Sequence, residues 1–398
     1  MDFRQTETLE ERLAIMRRLA ERFREQAERY DREGSFPYDH IERLKQSGYT
    51  ALTVPRIYGG KEISLYEMVR LQEMLASGDG STALSIGWHV GTMLGLCGNR
   101  AWKESALRNL CGEVMNGALI NSAATEPATG SPTRGGTFQT KAVRDGGGWK
   151  LNGRKTFTTL APVLDYFLVH ATVEEAGRAA VFLVPRSCEG LRIEETWDSI
   201  AMRGTGSHDL VLEDVRVAGD GLVEWIDREK PQPSGWLLHI PACYLGIAQA
   251  AQTYAVRFAK SYRPNSITGS ILELPHVQMK IGEIELEMMR ARTYLYSVAR
   301  RWDEADERER QTMKPDLAAV KYAVTNAALK VVDLAMRIVG AHSLSISNPL
   351  QRYYRDVRAG LHNPPMDDMT IQMLARTAIA RESDESSAQG GGDSESNG

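Results

Sequence analysis

The sequence predicts an α+β chain in three parts. A helical domain spans residues 1–118, a β domain 119–228 and a four-helix bundle 229–382, and residues 383–398 form a disordered tail. Three observations carry this. Apolar residues recur at helical spacing up to about Ala118. From Lys141 to Val217 the chain turns to short Val-, Phe- and Thr-rich runs separated by glycines. Near Trp236 the helical period returns and holds for four long segments, the number a bundle needs.

Taken in order, Leu9, Leu13, Met16, Leu19 and Phe23 make one apolar face of a first helix over residues 7–27. Pro37 precedes a short helix through Ile41 and Leu44, and Gly48–Gly60 is a loop closed by paired glycines. Leu65–Ala76 is helical. Ser81–Cys97 is small, apolar and nearly uncharged, as a buried helix is, and Trp88 and His89 lie in it. A histidine there is more often a satisfied core residue than a catalyst. Ala101–Val114 closes the first domain. The β domain opens with Ser122–Thr159, in which a Gly-, Pro- and Thr-rich segment leads to LNGRKTFTT. The latter reads as strand, tight turn at Asn152-Gly153, and strand. Such a stretch suits turns and also suits a ligand's polar edge, because glycine lets backbone amides approach closely. In the last part, helices are expected over Leu237–Tyr262, Glu273–Trp302 and Asp316–Val339. ADERERQ is a solvated connection, and a final helix runs from Asp367 to about Arg381.

Composition narrows the function. A net charge of −4 over 398 residues argues against a nucleic-acid partner. The four cysteines have no metal spacing and read as reduced, packing residues, so a cytoplasmic protein is expected. No apolar run reaches the roughly eighteen residues a membrane span needs.

Four motifs, in order, resemble those of the acyl-CoA dehydrogenase family. They are TEPATGS (Thr125–Ser131), LNGRKTFTT, RGTGSHDLVLEDVRV (Arg203–Val217) and YYRDVR (Tyr353–Arg358). The resemblance implies FAD between the β domain and the bundle, with Thr125 and Ser131 beside the flavin and its phosphates and Phe157 and Thr158 at its ring. Arg263 matches the arginine that reaches a neighbouring subunit's FAD, although the usual Gln-Phe-Gly after it is absent. Gly340 matches a paired-glycine segment near that neighbour's cofactor, with Ala341 in the second place. The resemblance also implies a homotetramer built from dimers. Arg355 and Asp356 are expected to pair with each other.

Family members remove an α proton from an acyl-CoA thioester with a glutamate while the β hydride goes to the flavin. The matching position here is Ser347. In a minority of members the glutamate stands where this chain has Trp236, and no acidic residue lies between Lys230 and Arg263. Glu126, inside the first motif, is a third candidate base. α,β-Dehydrogenation remains the leading reading, because the motifs belong most broadly to that class. The alternative is a reduced-flavin-dependent monooxygenase, since relatives of that type lack the glutamate and carry two histidines that His89 and His362 match. FMN is then an alternative to FAD, and a flavin reductase replaces electron-transfer flavoprotein as partner. The substrate is an acyl-CoA in the first case and a small hydrophobic molecule in the second. A reading of another class is a non-catalytic oligomer that binds flavin or acyl-CoA.

Overall fold

A computed structural model describes residues 1–99, 101–128, 137–227 and 232–390, the last eight as backbone. Five helices build the first part: α1 Leu9–Glu33, α2 Tyr38–Gln46, α3 Leu65–Ala76, α4 Gly80–Gly98 and α5 Glu104–Met115. α1 starts in a capping box, Thr8 with Glu11, and stops at Gly34, whose φ of 67° satisfies the left-handed cap. It runs six residues past the expected Ala27. α4 begins on the side chain of Asp79 and is buried nearly all round, as its lack of charge requires.

The strands are β1 Ile120–Ala123, β2 Lys141–Asp145, β3 Gly148–Thr158, β4 Tyr166–Val173, β5 Arg178–Pro185, β6 Leu191–Glu194, β7 His208–Val217 and β8 Leu222–Trp225. They form a sheet in the order β6-β7-β3-β2-β4-β5-β8, and β1 pairs with β4 in parallel. One expectation fails here. Asn152-Gly153 is not a turn but part of the continuous strand β3, opposite a bulge in β7: from Leu151↔Val215 to Gly153↔Leu212, β3 advances two residues and β7 three, and Asp214 takes a φ of 51°. The Asn152 amide closes the bulge, donating to the Asp214 carboxylate at 3.0 Å and accepting from the Asp214 N–H at 2.8 Å. Gly153 is required because a Cβ there would lie 2.5 Å from Thr140 Oγ1.

The last part holds α6 His239–Ser261, α7 Pro275–Glu304, α8 Glu307–Thr312, α9 Lys314–Val339, α10 Pro349–Ala359 and α11 Asp367–Gly390. Helices α6, α7 and α9 pack on one another, α11 lies along α9, and α3 of the first domain fills in against α6 and α7. The polar connection contains the short helix α8, because Asp306 and Glu309 form a capping box. The final helix passes Arg381 and reaches Gly390. No glycine or proline interrupts residues 382–389. The expected boundary at 228/229 falls in residues outside those described. No described helix is long and apolar enough to cross a membrane.

Polar contacts lock the three parts together. Asp303 of α7 accepts the Leu65 and Tyr66 amides, both at 2.9 Å, and so caps α3 from another domain. Arg292 of α7 pairs with Glu73 of α3 at 2.7 Å. Arg355 and Asp356 do not pair with each other, contrary to expectation. Neighbours on a helix point about 100° apart, so they serve two different partners. Arg355 holds Asp31 of α1 through two N–H groups, one at 3.1 Å, and Asp356 accepts the Met202 N–H at 2.6 Å.

Asp356 is buried, and burial pushes its carboxyl up from 3.8 to about 7. The folded chain therefore keeps a proton that the unfolded chain has released, so stability falls as pH rises through that window. Asp356→Asn keeps an acceptor for Met202 and removes the titration. Its melting temperature relative to the parent is expected to rise between pH 5 and pH 8. A constant difference across that range would place the charge elsewhere.

Candidate flavin site

The site is built where β3 leaves the sheet. Pairing with β7 breaks between Lys155 and Thr158, and the Thr156 N–H turns instead to the Thr125 carbonyl at 2.9 Å. Phe157 is forced to a φ of 56° and its ring stands 64 % exposed against Trp197, with ring centroids 6.0 Å apart. Thr158 is fully buried, and its hydroxyl has no hydrogen-bond partner among the described residues. A buried hydroxyl left unpaired costs about 1–3 kcal/mol, so a ligand's polar edge at this point offsets a real penalty. An exposed aromatic face beside an unpaired hydroxyl fits the ring system of a flavin. When bound, a flavin supplies two-electron redox chemistry.

Hydrogen bonds fix the neighbouring turn. The Thr159 hydroxyl meets Ser207 at 2.9 Å, Ser207 meets Thr205 at 2.8 Å, and Thr205 donates to the Met202 carbonyl at 3.0 Å. Asn121 of β1 donates to the Thr159 carbonyl at 2.9 Å. Ser85 of α4 donates to the Thr205 carbonyl at 3.4 Å, which ties the buried helix to the same edge.

Glu126 of the first motif is no base. It is buried and bonded to the Lys155 ammonium at 2.6 Å, and it accepts the Gln139 and Thr140 amides at 2.6 and 2.9 Å. Burial pushes its carboxyl up, but Lys155 and the amides outweigh burial and hold it at about 2. Lys155 is pushed down to about 8, by burial first, against the pull of Glu126.

The remaining expected residues scatter. Thr125 is half-buried beside β3, and Ser131 lies outside the described residues. His89 is fully buried with both nitrogens engaged by backbone: Nε2–H donates to the Thr50 carbonyl and Nδ1 accepts the Ile120 N–H, both at 3.0 Å. Burial pushes it down to about 4, so it is neutral and serves as a tie between α4 and β1. His362 is exposed just past α10, and no hydrogen bond, ion pair or ring contact joins it to His89. Its neighbour Asn363 accepts from the Tyr244 hydroxyl of α6. Ser347 is exposed one residue before the cap of α10. Arg263 is exposed and reaches only the Ser261 carbonyl, at 3.3 Å. Gly340 caps α9 with a φ of 66° and open space around it. No group of side chains able to hold a metal occurs among the described residues.

Two features escape a reading by motif. Trp236 lies in a groove made by glycines of α4, where a Cβ on Gly95 would sit 2.7 Å from its ring. His239, one turn on, is fully buried with neither ring nitrogen partnered. The signal in the sequence was the spacing Gly87, Gly91, Gly95, a small-residue stripe that only a bulky neighbour explains.

Glu126→Gln leaves the Lys155 charge buried and unpaired and is expected to cost about 3–5 kcal/mol in denaturant unfolding. Adding Lys155→Met should restore more than half of it, and additive losses would show that the two do not act as a pair. The pair's contribution is complete from pH 4.5 up to about pH 8, where Lys155 loses its proton, and it drains away as pH falls toward 2, because the folded carboxyl is the more acidic one. Thr158→Ala is expected to weaken FMN binding about tenfold in a fluorescence titration. An unchanged affinity would remove Thr158 from the site.

The chain matches the acyl-CoA dehydrogenase N-terminal domain over residues 6–113, the middle domain over 121–215 and the C-terminal domain over 238–363. It is 53 % identical to a putative acyl-CoA dehydrogenase, YdbM, of Bacillus subtilis, over 91 % of this chain and 95 % of that one. It is 30 % identical to an L-evernosamine nitrososynthase of Micromonospora, over 83 % and 80 %. Among solved structures, KijD3 in complex with FMN and dTDP-3-amino-2,3,6-trideoxy-4-keto-3-methyl-D-glucose superposes with a TM-score of 0.83 at 26 % identity, covering 94 % of this chain and 95 % of that one. The three matched domains, in order and over nearly the whole length, place the chain in the acyl-CoA dehydrogenase family, whose fold serves flavin-dependent oxidoreductases.

Proposed function

We propose that this protein is a reduced-flavin-dependent monooxygenase on the acyl-CoA dehydrogenase fold, rather than an acyl-CoA dehydrogenase. One observation carries the reading: none of the three described positions at which a base is expected offers a carboxylate able to remove an α proton. Ser347 is exposed and has no acidic function, Trp236 packs into α4, and Glu126 is locked by Lys155. A thioester α proton needs a positioned base. The likeness to a nitrososynthase and to an FMN complex supports the same direction.

In this reading a reduced flavin held at Thr158 and Phe157 would supply the two electrons needed for one atom of O2 to enter the substrate while the other leaves as water. The chain's own part is to bind, orient and exclude water. Thr158 offers its hydroxyl to the cofactor's polar edge, and Phe157 offers an aromatic face. FMN is favoured over FAD because Arg263, the expected contact to the adenylate half, lacks the Gln-Phe-Gly that follows it in the family. The electron source is then an NAD(P)H-dependent flavin reductase. Met279, Leu286 and Met289 leave apolar side chains exposed along one side of α7, which supports burial against further copies in a tetramer.

The test is a comparison of two reactions. Under anaerobic conditions, acyl-CoAs of several chain lengths are expected to leave bound oxidised flavin unbleached. Reduced FMN supplied by a reductase is expected to drive oxygen uptake above the rate without protein. Stoichiometric bleaching by any acyl-CoA would return the protein to dehydrogenation.

A further inference from the structure

The substrate side of the site carries a group that nothing so far has used. α4 is wedged between the β domain and α6. Ser85 and His89 face the β domain, while Gly87, Gly91 and Gly95 face the start of α6. At 100° per residue, Trp88 and Thr92 fall between these two faces of α4. Ser85, which bonds the turn beside Thr159, is one helical turn from Trp88, about 4.5 Å along the axis.

Trp88, Trp236 and His239 form one aromatic cluster there. Trp88 meets His239 edge-on at 4.9 Å and Trp236 edge-on at 5.9 Å, and Trp236 lies parallel to His239 at 6.1 Å. Both tryptophans are half-buried, so the cluster has an open side. The histidine beneath is fully enclosed, and both its nitrogens lack partners. The Thr92 hydroxyl is also buried without a partner. Burial pushes His239 down to about 3, and its place at the positive end of α6 disfavours a cation further. The ring is thus neutral, with one donor and one acceptor, both unsatisfied. The fold makes room for it: a Cβ on Gly87 would lie 2.6 Å from Nδ1, and one on Gly91 would lie 3.2 Å from Cδ2. Two glycines spent on an unpaired imidazole point to a partner that comes from outside.

We propose that Trp88, Trp236 and His239 form the recognition pocket for a planar aromatic substrate bearing a hydrogen-bonding heteroatom. The tryptophans stack on its ring, and the neutral imidazole, joined by Thr92, bonds its heteroatom. An apolar face alone discriminates weakly, whereas a buried polar group left unpaired by the wrong ligand discriminates strongly. No charged side chain belongs to the cluster, so a thioester's charged carrier gains nothing from it. The proposal rests on the monooxygenase reading only for the reaction carried out, not for binding.

Indole and 1-methylindole differ in one N–H, and cyclohexanol keeps a polar group without an aromatic ring. Each is titrated calorimetrically into the full chain, with and without FMN. Indole is expected to bind, 1-methylindole about tenfold more weakly, and cyclohexanol not detectably. Trp236→Ala and Trp88→Ala should each weaken indole at least tenfold. His239→Ala should erase the difference between the two indoles while melting stays cooperative. If that variant does not fold, the 15N shifts of His239 in the parent decide: indole should move them and 1-methylindole should not. Equal binding of all three probes, or an indole preference that survives His239→Ala, overturns the proposal. Failure to bind indole, with oxygen uptake from reduced FMN intact, overturns this pocket and leaves the proposed function standing.

Discussion

Everything near the flavin edge depends on one joint, where Asp31 of α1, Arg355 and Asp356 of α10 and the turn at Met202 and Arg203 meet. Three domains contribute to it. Arg355 pins Asp31 and the Ile200 carbonyl, Arg203 donates to the Asp31 carbonyl, and Asp356 holds the Met202 amide. Met202 itself sits at a φ of 52°, a conformation a methionine adopts only when its surroundings demand it. From that residue the hydroxyl chain runs through Thr205 and Ser207 to Thr159, next to Thr158. The geometry of the cofactor edge is therefore set by contacts between domains rather than by the sheet alone.

Much of this was open to a reading of the residues, and what was not has a physical explanation. The three-part order follows from the change of period, and α3 falls on its expected bounds. Asn152-Gly153 was misread because Asn-Gly is the commonest hairpin signal, and only Asp214, sixty-two residues on, shows that the strand continues. Lys155 was passed over for the same reason: once β3 is continuous, it falls on the inward face with Trp149 and Leu151, where it meets Glu126. The helix α8 hid in a charged stretch because its stability comes from a capping box, not from an apolar face. At the candidate site, the motif singled out Thr158, and the packed chain adds that its hydroxyl is buried without a partner among the described residues. His239 was not legible, since an orphaned polar atom is a property of the packed chain.

In the proposed reading the family's signatures and its chemistry part company for a clear reason. The signatures maintain the ion pair, the bulged strand and the joint, all of which concern how the protein is held together around a flavin. The base belongs to a different place, and changing it leaves those interactions untouched. His89 shows the converse: a residue at a suggestive position spends both nitrogens on backbone groups and acts as a rivet between α4 and β1.

The glycine groove of α4 has one further consequence. Gly95 and Trp236 meet so closely that a side chain on one must be matched by a loss on the other. Size at the proposed pocket is thus shared between a helix of the first domain and the opening turn of the last. A lineage moving toward bulkier or smaller molecules would have to change both positions together, so paired exchanges of Gly95 and Trp236 among related chains would mark shifts in what they accept.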